Sequence, residues 1–241
     1  MEKLRQELDR LIDRLEEARD FRARLSHLVS MYPFSEYEYI ISTLLGRDRL
    51  TLDEYIELRD AYIDRNLYLY LFEISAPRGF GDRWAVGHLK QLVPAFKRPS
   101  KKLDPSYSGE YDLWLAPGIR VEVKASRAVE FGSDEPLYIK ALASDSSRPF
   151  DMNFQQLKPY CCDVFLWVAV WRDQIRYWVL SSKEVESNRY YSPGQHRGSE
   201  GEGQLHLNQD NIAEFDEYEV SSVDLERAIR QLYERQTAGQ T

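Results

Sequence analysis

The chain has 241 residues, with 32 Lys and Arg against 40 Asp and Glu, for a formal net charge of −8. That length can bury a substantial core, and 43% hydrophobic with 30% charged residues is the composition of a soluble globular protein. No run of about 18 apolar residues occurs, so a membrane-spanning helix is not expected, and the acidic balance weighs mildly against nucleic acid unless basic groups are gathered locally.

Residues 1–32 read as one long helix. Leu4, Leu8, Leu11, Leu15, Ala18, Arg22, Leu25, Val29 and Tyr32 alternate spacings of four and three, a heptad seam with one polar interruption, closed by Pro33. The seam fits a coiled coil or helical hairpin as well as a helix packed on its own domain. A second helix is expected over residues 36–45. Thr51 with Glu54 three residues on is a capping-box signature that opens a third, running to about residue 71. A Pro- and Gly-rich turn over residues 75–81 precedes another helix over residues 82–92, in which His88 reads as a structural, interfacial histidine. Residues 1–50 are accordingly assigned to a helical region able to form a dimer, and residues 51–241 to the main domain.

The pattern then changes period. Residues 111–116 and 119–126 alternate apolar and polar side chains around Pro117-Gly118, which predicts a β-hairpin. Residues 162–171 form an almost continuous apolar run, expected of a strand buried on both faces, with residues 174–180 as its partner. Residues 192–203 hold four glycines and read as a loop. A last helix is striped by Leu225, Ala228, Ile229 and Leu232. The two cysteines, Cys161 and Cys162, are neighbours and read as reduced core thiols. With no apolar leader after the charged N-terminus, they suggest a cytoplasmic chain.

The hairpin carries the chemistry. On its first strand Tyr111, Leu113 and Leu115 are expected on one face, with Asp112 and Trp114 on the other. On its second, Ile119, Val121 and Val123 oppose Arg120, Glu122 and Lys124. If both apolar faces meet the core, Asp112, Glu122 and Lys124 converge. Two adjacent carboxylates repel unless neutralised, and Mg²⁺ with hard oxygen ligands does that. A lysine beside them can hold or help deprotonate an attacking water, and its charge can stabilise the oxyanion of phosphodiester hydrolysis. The acid-free stretch containing Lys90, Lys97, Arg98, Lys101 and Lys102 ends just before this hairpin and offers phosphate contacts.

Asp112, nine residues, then Glu122-Val123-Lys124 resembles the signature of the PD-(D/E)XK nuclease superfamily, to which most type II restriction endonucleases belong, although Tyr111 stands where proline often precedes the aspartate. The resemblance covers roughly residues 70–185. It implies an α/β fold with a mixed central β-sheet flanked by helices, here with the N-terminal helical region added. It also implies Mg²⁺ as cofactor and duplex DNA as substrate. Gln156-Leu157-Lys158-Pro159-Tyr160 is similar to a Gln-x-x-x-Tyr pattern of some branches, which would bring Gln156 to the site or to DNA from a helix end. Glu73 is a candidate third carboxylate, since such nucleases often draw one from an earlier helix.

No GxxxxGK[ST] phosphate loop is present, which disfavours a motor-coupled nuclease. The resemblance then favours a type II restriction endonuclease acting as a homodimer on double-stranded DNA. Arg189, Gln195, His196 and Arg197, in and beside the glycine-rich loop, are candidate DNA contacts. A repair or recombination nuclease of the same fold, and a non-cleaving DNA-binding module, are the alternatives.

Overall fold

A computed structural model describes residues 2–26, 36–76, 79–194 and 202–238. Contacts divide the chain into two compact units, Met1–Asn66 and Leu67–Thr241.

The first unit holds α1 (Glu2–Ile12), α2 (Ala18–Leu25), α3 (Glu36–Gly46) and α4 (Leu52–Asp64). The single long helix expected over residues 1–32 is therefore broken between Ile12 and Ala18, although neither Gly nor Pro lies there. The physical reason is burial. Leu8, Leu11, Ile12, Leu15 and Phe21 join Ile40, Leu44 and Leu50 in one core, so the seam is satisfied within its own unit by folding back. Arg22, the polar interruption, donates to Asp9 and Asp13 across the bend, at 2.7 and 2.8 Å. Val29 and Tyr32 lie outside the described residues. The Thr51–Glu54 capping box forms as expected: Thr51 N–H donates to Glu54 at 2.8 Å and Glu54 N–H to the Thr51 hydroxyl at 3.2 Å. The helix it opens ends at Asp64, not near residue 71. Because Tyr55 and Leu58 pack on the first core, this helix belongs to the N-terminal unit, and the division falls after Asn66, not after residue 50.

In the second unit a 3₁₀ turn (Leu69–Glu73) and a π-helical turn (Gly79–Ala85) lead into α5 (Val86–Leu92). The hairpin follows as β1 (Leu113–Leu115) and β2 (Ile119–Arg127), antiparallel, with Leu113 opposite Val121 and Leu115 opposite Ile119. β5 (Val164–Val170) lies parallel to β2, β6 (Ile175–Ser181) antiparallel to β5, and β9 (Glu219–Val220) against β6. This gives a five-stranded mixed sheet, β1-β2-β5-β6-β9. β3 (Val129–Glu130), β4 (Phe150–Leu157), β8 (Gly203–Asn208) and β7 (Tyr191–Pro193) form a second sheet, in the order β3-β4-β8-β7. The short helix α6 (Ser182–Glu186) and the final helix α7 (Leu225–Ala238) complete the unit. The α/β class with a mixed, helix-flanked sheet is as expected from sequence.

Two cores lie on opposite faces of the five-stranded sheet. On one, Leu113, Ile119, Val121 and Val123 meet Leu89 of α5 and Leu225, Ile229 and Leu232 of α7. Arg127, at the end of β2, donates to the carbonyls of Leu71 and Ile74 at 2.9 and 2.8 Å and lies over the Phe80 ring. His88 stacks between Trp84 and Tyr177 and hydrogen-bonds the Tyr177 hydroxyl at 2.6 Å, a structural place that matches its reading from sequence. On the other face Trp114, Phe165, Trp167 and Trp178 pack on Met152, Phe154, Leu205 and Leu207 of the second sheet. Phe150 meets Trp171 at 5.7 Å and Phe154 stacks on Trp167 at 4.7 Å, so β4 runs back along β5 in the opposite direction.

One expectation fails here. The segment containing Gln156 is a strand, not a helix end. Phe150, Met152 and Phe154 alternate with Asp151, Asn153 and Gln155, and burial of the aromatic face decides the conformation. Both cysteines are buried and free. Among the described residues no helix is long and apolar enough to cross a membrane.

Candidate active site

The expected convergence of Asp112, Glu122 and Lys124 occurs, and the hairpin register produces it. Val121 and Val123 point to the α5–α7 layer, so Glu122 and Lys124 point to the opposite face, where their register partners on β5 are Phe165 and Trp167. The Lys124 ammonium lies 2.8 Å from the Glu122 carboxylate, and both side chains are largely buried, 17% and 12% exposed. Asp112 stands just before β1. Its N–H donates to the Val121 carbonyl at 3.2 Å and its carboxylate accepts from the Val123 N–H at 2.9 Å, which fixes it beside β2. Tyr111 departs from its expected face. It precedes the regular strand, joins the Trp114 side and donates to Asp104 at 2.9 Å.

Electrostatics single this group out. Burial pushes the Glu122 carboxyl up to about 7, a rise that the Lys124 charge opposes and that Asp112 reinforces by its charge and a hydrogen bond. Two acids are thus held together in a poorly solvated place with one lysine between them and full repulsion. Such a site can take a hard divalent cation, since Mg²⁺ binds through one or two carboxylates and fills its shell with waters and substrate phosphate. The donor set therefore fits Mg²⁺ through Asp112 and Glu122.

Glu73 does not join them. It is exposed at the end of a 3₁₀ turn whose Leu71 and Phe72 take the buried positions. Among the described residues no group of three or more His, Cys, Asp or Glu side chains is placed to hold a metal. The expected third carboxylate rests on extending the Thr51 helix past Asp64, where it ends, into a separate 3₁₀ turn over Leu69–Glu73.

Lys97 is brought to the site's edge. Its backbone pairs with Trp114 through two hydrogen bonds of 2.9 Å, adding a bridge outside β1, and its ammonium lies 5.6 Å from the centre of the Trp114 ring. Arg98, Lys101 and Lys102 follow in the exposed connection. Gln156 is exposed at a β-bulge in β4, between Gln155 and Leu157, with a left-handed φ of 56°. A non-glycine residue in that conformation costs of order 1 kcal/mol, and a bulge re-aims its side chain. Arg189 is exposed and occupied by Tyr190 and Glu214. Gln195, His196 and Arg197 lie outside the described residues.

Sequence reasoning missed the frame around the acids. Asp163, just ahead of β5, takes the Arg120 guanidinium through two bonds, of 2.7 and 3.1 Å, and also accepts from the Arg120 N–H. This ties the start of β2 to β5 directly below Glu122. Cys162 is buried on the same side, its thiol pushed up to about 12 chiefly by burial. The signal for Asp163 was present as an acid at the head of an apolar strand, but its partner is 43 residues away.

No family model and no curated protein sequence matches this chain. The functional reading rests on the site itself.

Proposed function

We propose that this chain is a Mg²⁺-dependent nuclease that hydrolyses phosphodiester bonds in double-stranded DNA, with Asp112 and Glu122 as metal ligands and Lys124 as the catalytic cation. The observation that carries the reading is the largely buried acid pair with its lysine, produced by a hairpin register that could equally have exposed them. Bound there, Mg²⁺ would supply Lewis-acid stabilisation of charge on the phosphoryl oxygens. Asp112 is held by the Val123 N–H, and Glu122 by Lys124, so both carboxylates are oriented before any ligand arrives. Lys124 can turn from Glu122 to the attacking water or to the developing oxyanion, where one such group contributes about a hundredfold or more in rate. Lys97, Arg98, Lys101 and Lys102 line the approach beyond β1 and suit the DNA backbone.

Within this class we favour a type II restriction endonuclease that makes a sequence-specific double-strand cut. A repair or recombination nuclease remains the second reading, and the exposed, left-handed Gln156 bulge beside the site favours the first, as a placed polar group suited to a fixed sequence. One chain offers one triad, so cutting both strands at a symmetric site calls for a homodimer. The described part of the N-terminal seam is buried in its own unit and does not supply the contact surface. The test is plasmid cleavage by the purified chain. Mg²⁺ or Mn²⁺ should support cutting, Ca²⁺ should support binding with little cutting, and robust cutting in excess EDTA would reject the reading.

A further inference from the structure

The second sheet has an outer face that packing does not explain. Along β4, Met152, Phe154 and Leu157 point into the core, and along β8 so do Leu205 and Leu207. The alternate positions therefore face outward: Asp151, Asn153 and Gln155 on β4, Gln204, His206 and Asn208 on β8. The register sets them side by side, Asp151 with Asn208, Asn153 with His206, and Gln155 with Gln204. Exposed strands ordinarily carry β-branched residues, or lysine as a guard against edge pairing. This face has neither, and four of its six residues are amides.

Three of the amides, Asn153, Gln155 and Gln204, are weakly used by the protein. Asn153 donates to Gln204 at 3.4 Å, and its own carbonyl oxygen is buried without a partner among the described residues. Gln155 is exposed. The strong contacts are His206 with Asp151, at 2.8 Å, and the Asn208 side-chain oxygen, which accepts from the Asp210 and Asn211 N–H groups at 3.0 and 3.3 Å. β3 pairs with Phe150 and Asp151 of β4, and β7 with Gly203, Gln204 and Leu205 of β8. The sheet therefore narrows to a two-stranded ribbon at Met152–Leu207 and Asn153–His206, while Gln204 has Ser192 of β7 as its other neighbour. Neighbouring strands lie about 5 Å apart, and the major groove of B-DNA, about 12 Å wide, admits such a ribbon. Arg148 precedes β4 and Lys158 follows it, each held by an acid, Glu130 and Glu202, that phosphate could replace.

The ribbon also borders the candidate active site. Phe154 stacks on Trp167, and Trp167 is the register partner of Lys124. Gln155 and the Gln156 bulge therefore lie level with the catalytic hairpin along the strand direction, with Gln155 on the side of the second sheet that faces away from it.

We infer that the outer face of the β4–β8 ribbon is a base-reading surface for the major groove of duplex DNA, with Gln155, Gln204 and His206 as its central contacts. The inference rests on the nuclease reading for its choice of partner. Glutamine and asparagine pair with the N6 and N7 edge of adenine through two hydrogen bonds. Asp151 can accept from the N4 amino group of cytosine, and His206 can donate to the N7 edge of guanine. The phosphates would be met by Lys158 and Arg148 at the ribbon's ends.

The experiment is selection from a pool of randomised DNA duplexes by the full-length protein with Ca²⁺ present, read by sequencing the bound fraction. Wild type should enrich a short motif. Gln155→Ala and Gln204→Ala should each lower preference at one or two adjoining positions by at least about fivefold, while total binding to unselected DNA and its salt dependence stay near wild type. Gln209→Ala, exposed beyond the end of β8, should leave the motif intact. Should an alanine variant fail to fold, Gln204→Glu keeps the size and should shift the preferred base. No motif for wild type, a motif unchanged in the variants, or enrichment only of single strands or A-form RNA would overturn the inference. The selection needs no cleavage. A wild-type protein that enriches a motif yet never cuts in Mg²⁺ would refute the nuclease reading and leave the ribbon's role standing, and a cutting protein without a motif would do the reverse.

Discussion

Two ion clusters of the same make-up, two acids and one base, sit in different parts of this molecule. In the N-terminal unit Arg22 bridges Asp9 and Asp13, with side chains 42%, 48% and 68% exposed. In the second unit Lys124 contacts Glu122 beside Asp112, with the lysine and glutamate 17% and 12% exposed. In the first cluster water screens the charges, and the main effect is that the Arg22 guanidinium, bonded to Asp13 and then Asp9, holds its proton more tightly. In the second, burial dominates and drives a carboxyl up to about 7. Composition alone does not distinguish a bent helix pair from a reactive centre. The difference lies in how much solvent has been taken away, and a sheet face under a second sheet removes far more than a helix surface does.

The largest expected effect breaks the second cluster. Asp112→Ala, Glu122→Ala and Lys124→Ala should each cut DNA hydrolysis by about a hundredfold or more, whereas Arg22→Ala should leave it unchanged. Single-turnover plasmid cleavage checks this. Near-normal cutting by a clean Glu122→Ala preparation would remove these residues from the chemistry.

Next comes the cation. A ligand bound only by the folded state stabilises it by about 2.7 kcal/mol at a hundred times its Kd. Mg²⁺ or Mn²⁺ should therefore raise the melting temperature by several degrees, and Glu122→Gln should abolish the rise. Asp9→Asn, in the exposed cluster, should not. An equal rise in both variants would mean that the ion binds elsewhere.

A smaller effect concerns pH. Burial depresses the His88 pKa below its ordinary value of 6.5. Between those two values the unfolded chain binds the extra proton, so stability is lost as pH falls below about 6.5 and is fully present above it. The raised Glu122 carboxyl contributes a slope of the opposite sign over the same range, so the measurement is the difference in melting temperature between wild type and His88→Gln from pH 5 to 7.5, which should shift in favour of wild type as pH rises. A difference that does not change with pH would detach His88 from the effect. The smallest change is expected at Arg22→Ala, where exposed pairs contribute roughly 0.2–1 kcal/mol, measurable in a denaturation midpoint and reduced by salt.

The hairpin was legible from sequence because its alternation is strict and its turn falls at Pro117-Gly118. The side-chain period of two then decides which residues share a face. The capping box at Thr51 was legible for a similar reason, being entirely local. The N-terminal seam left its partner open, because a heptad reports which residues must be buried, not against what, and only its continuity as one helix fails. Leu8, Leu11 and Leu15 found α3 in place of a second chain. β4 and β8 were missed although Phe150-Asp151-Met152-Asn153-Phe154 and Gln204-Leu205-His206-Leu207 alternate as clearly as the hairpin. The glycines ahead of β8 and the Gln-x-x-x-Tyr spacing at the end of β4 mask that period locally. Asp163 and its arginine were beyond reach, because nothing local to either residue marks the other.

Arg127 has a consequence well away from its own carbonyl partners. A strand with an oily side and a charged side could enter the sheet in the wrong phase, one residue out. Glu122 and Lys124 would then be driven beneath α5 and α7, and Val121 and Val123 turned outward. Such an inverted chain would still bury several valines and could persist as a stable, inert product. Arg127 penalises that error at the far end of β2. Only in the observed phase does its guanidinium reach both the Leu71 and Ile74 carbonyls and the Phe80 ring; in the inverted one it would face the aromatic layer without them. A residue that takes no part in the chemistry thus acts as a proofreader for the orientation of the residues that do.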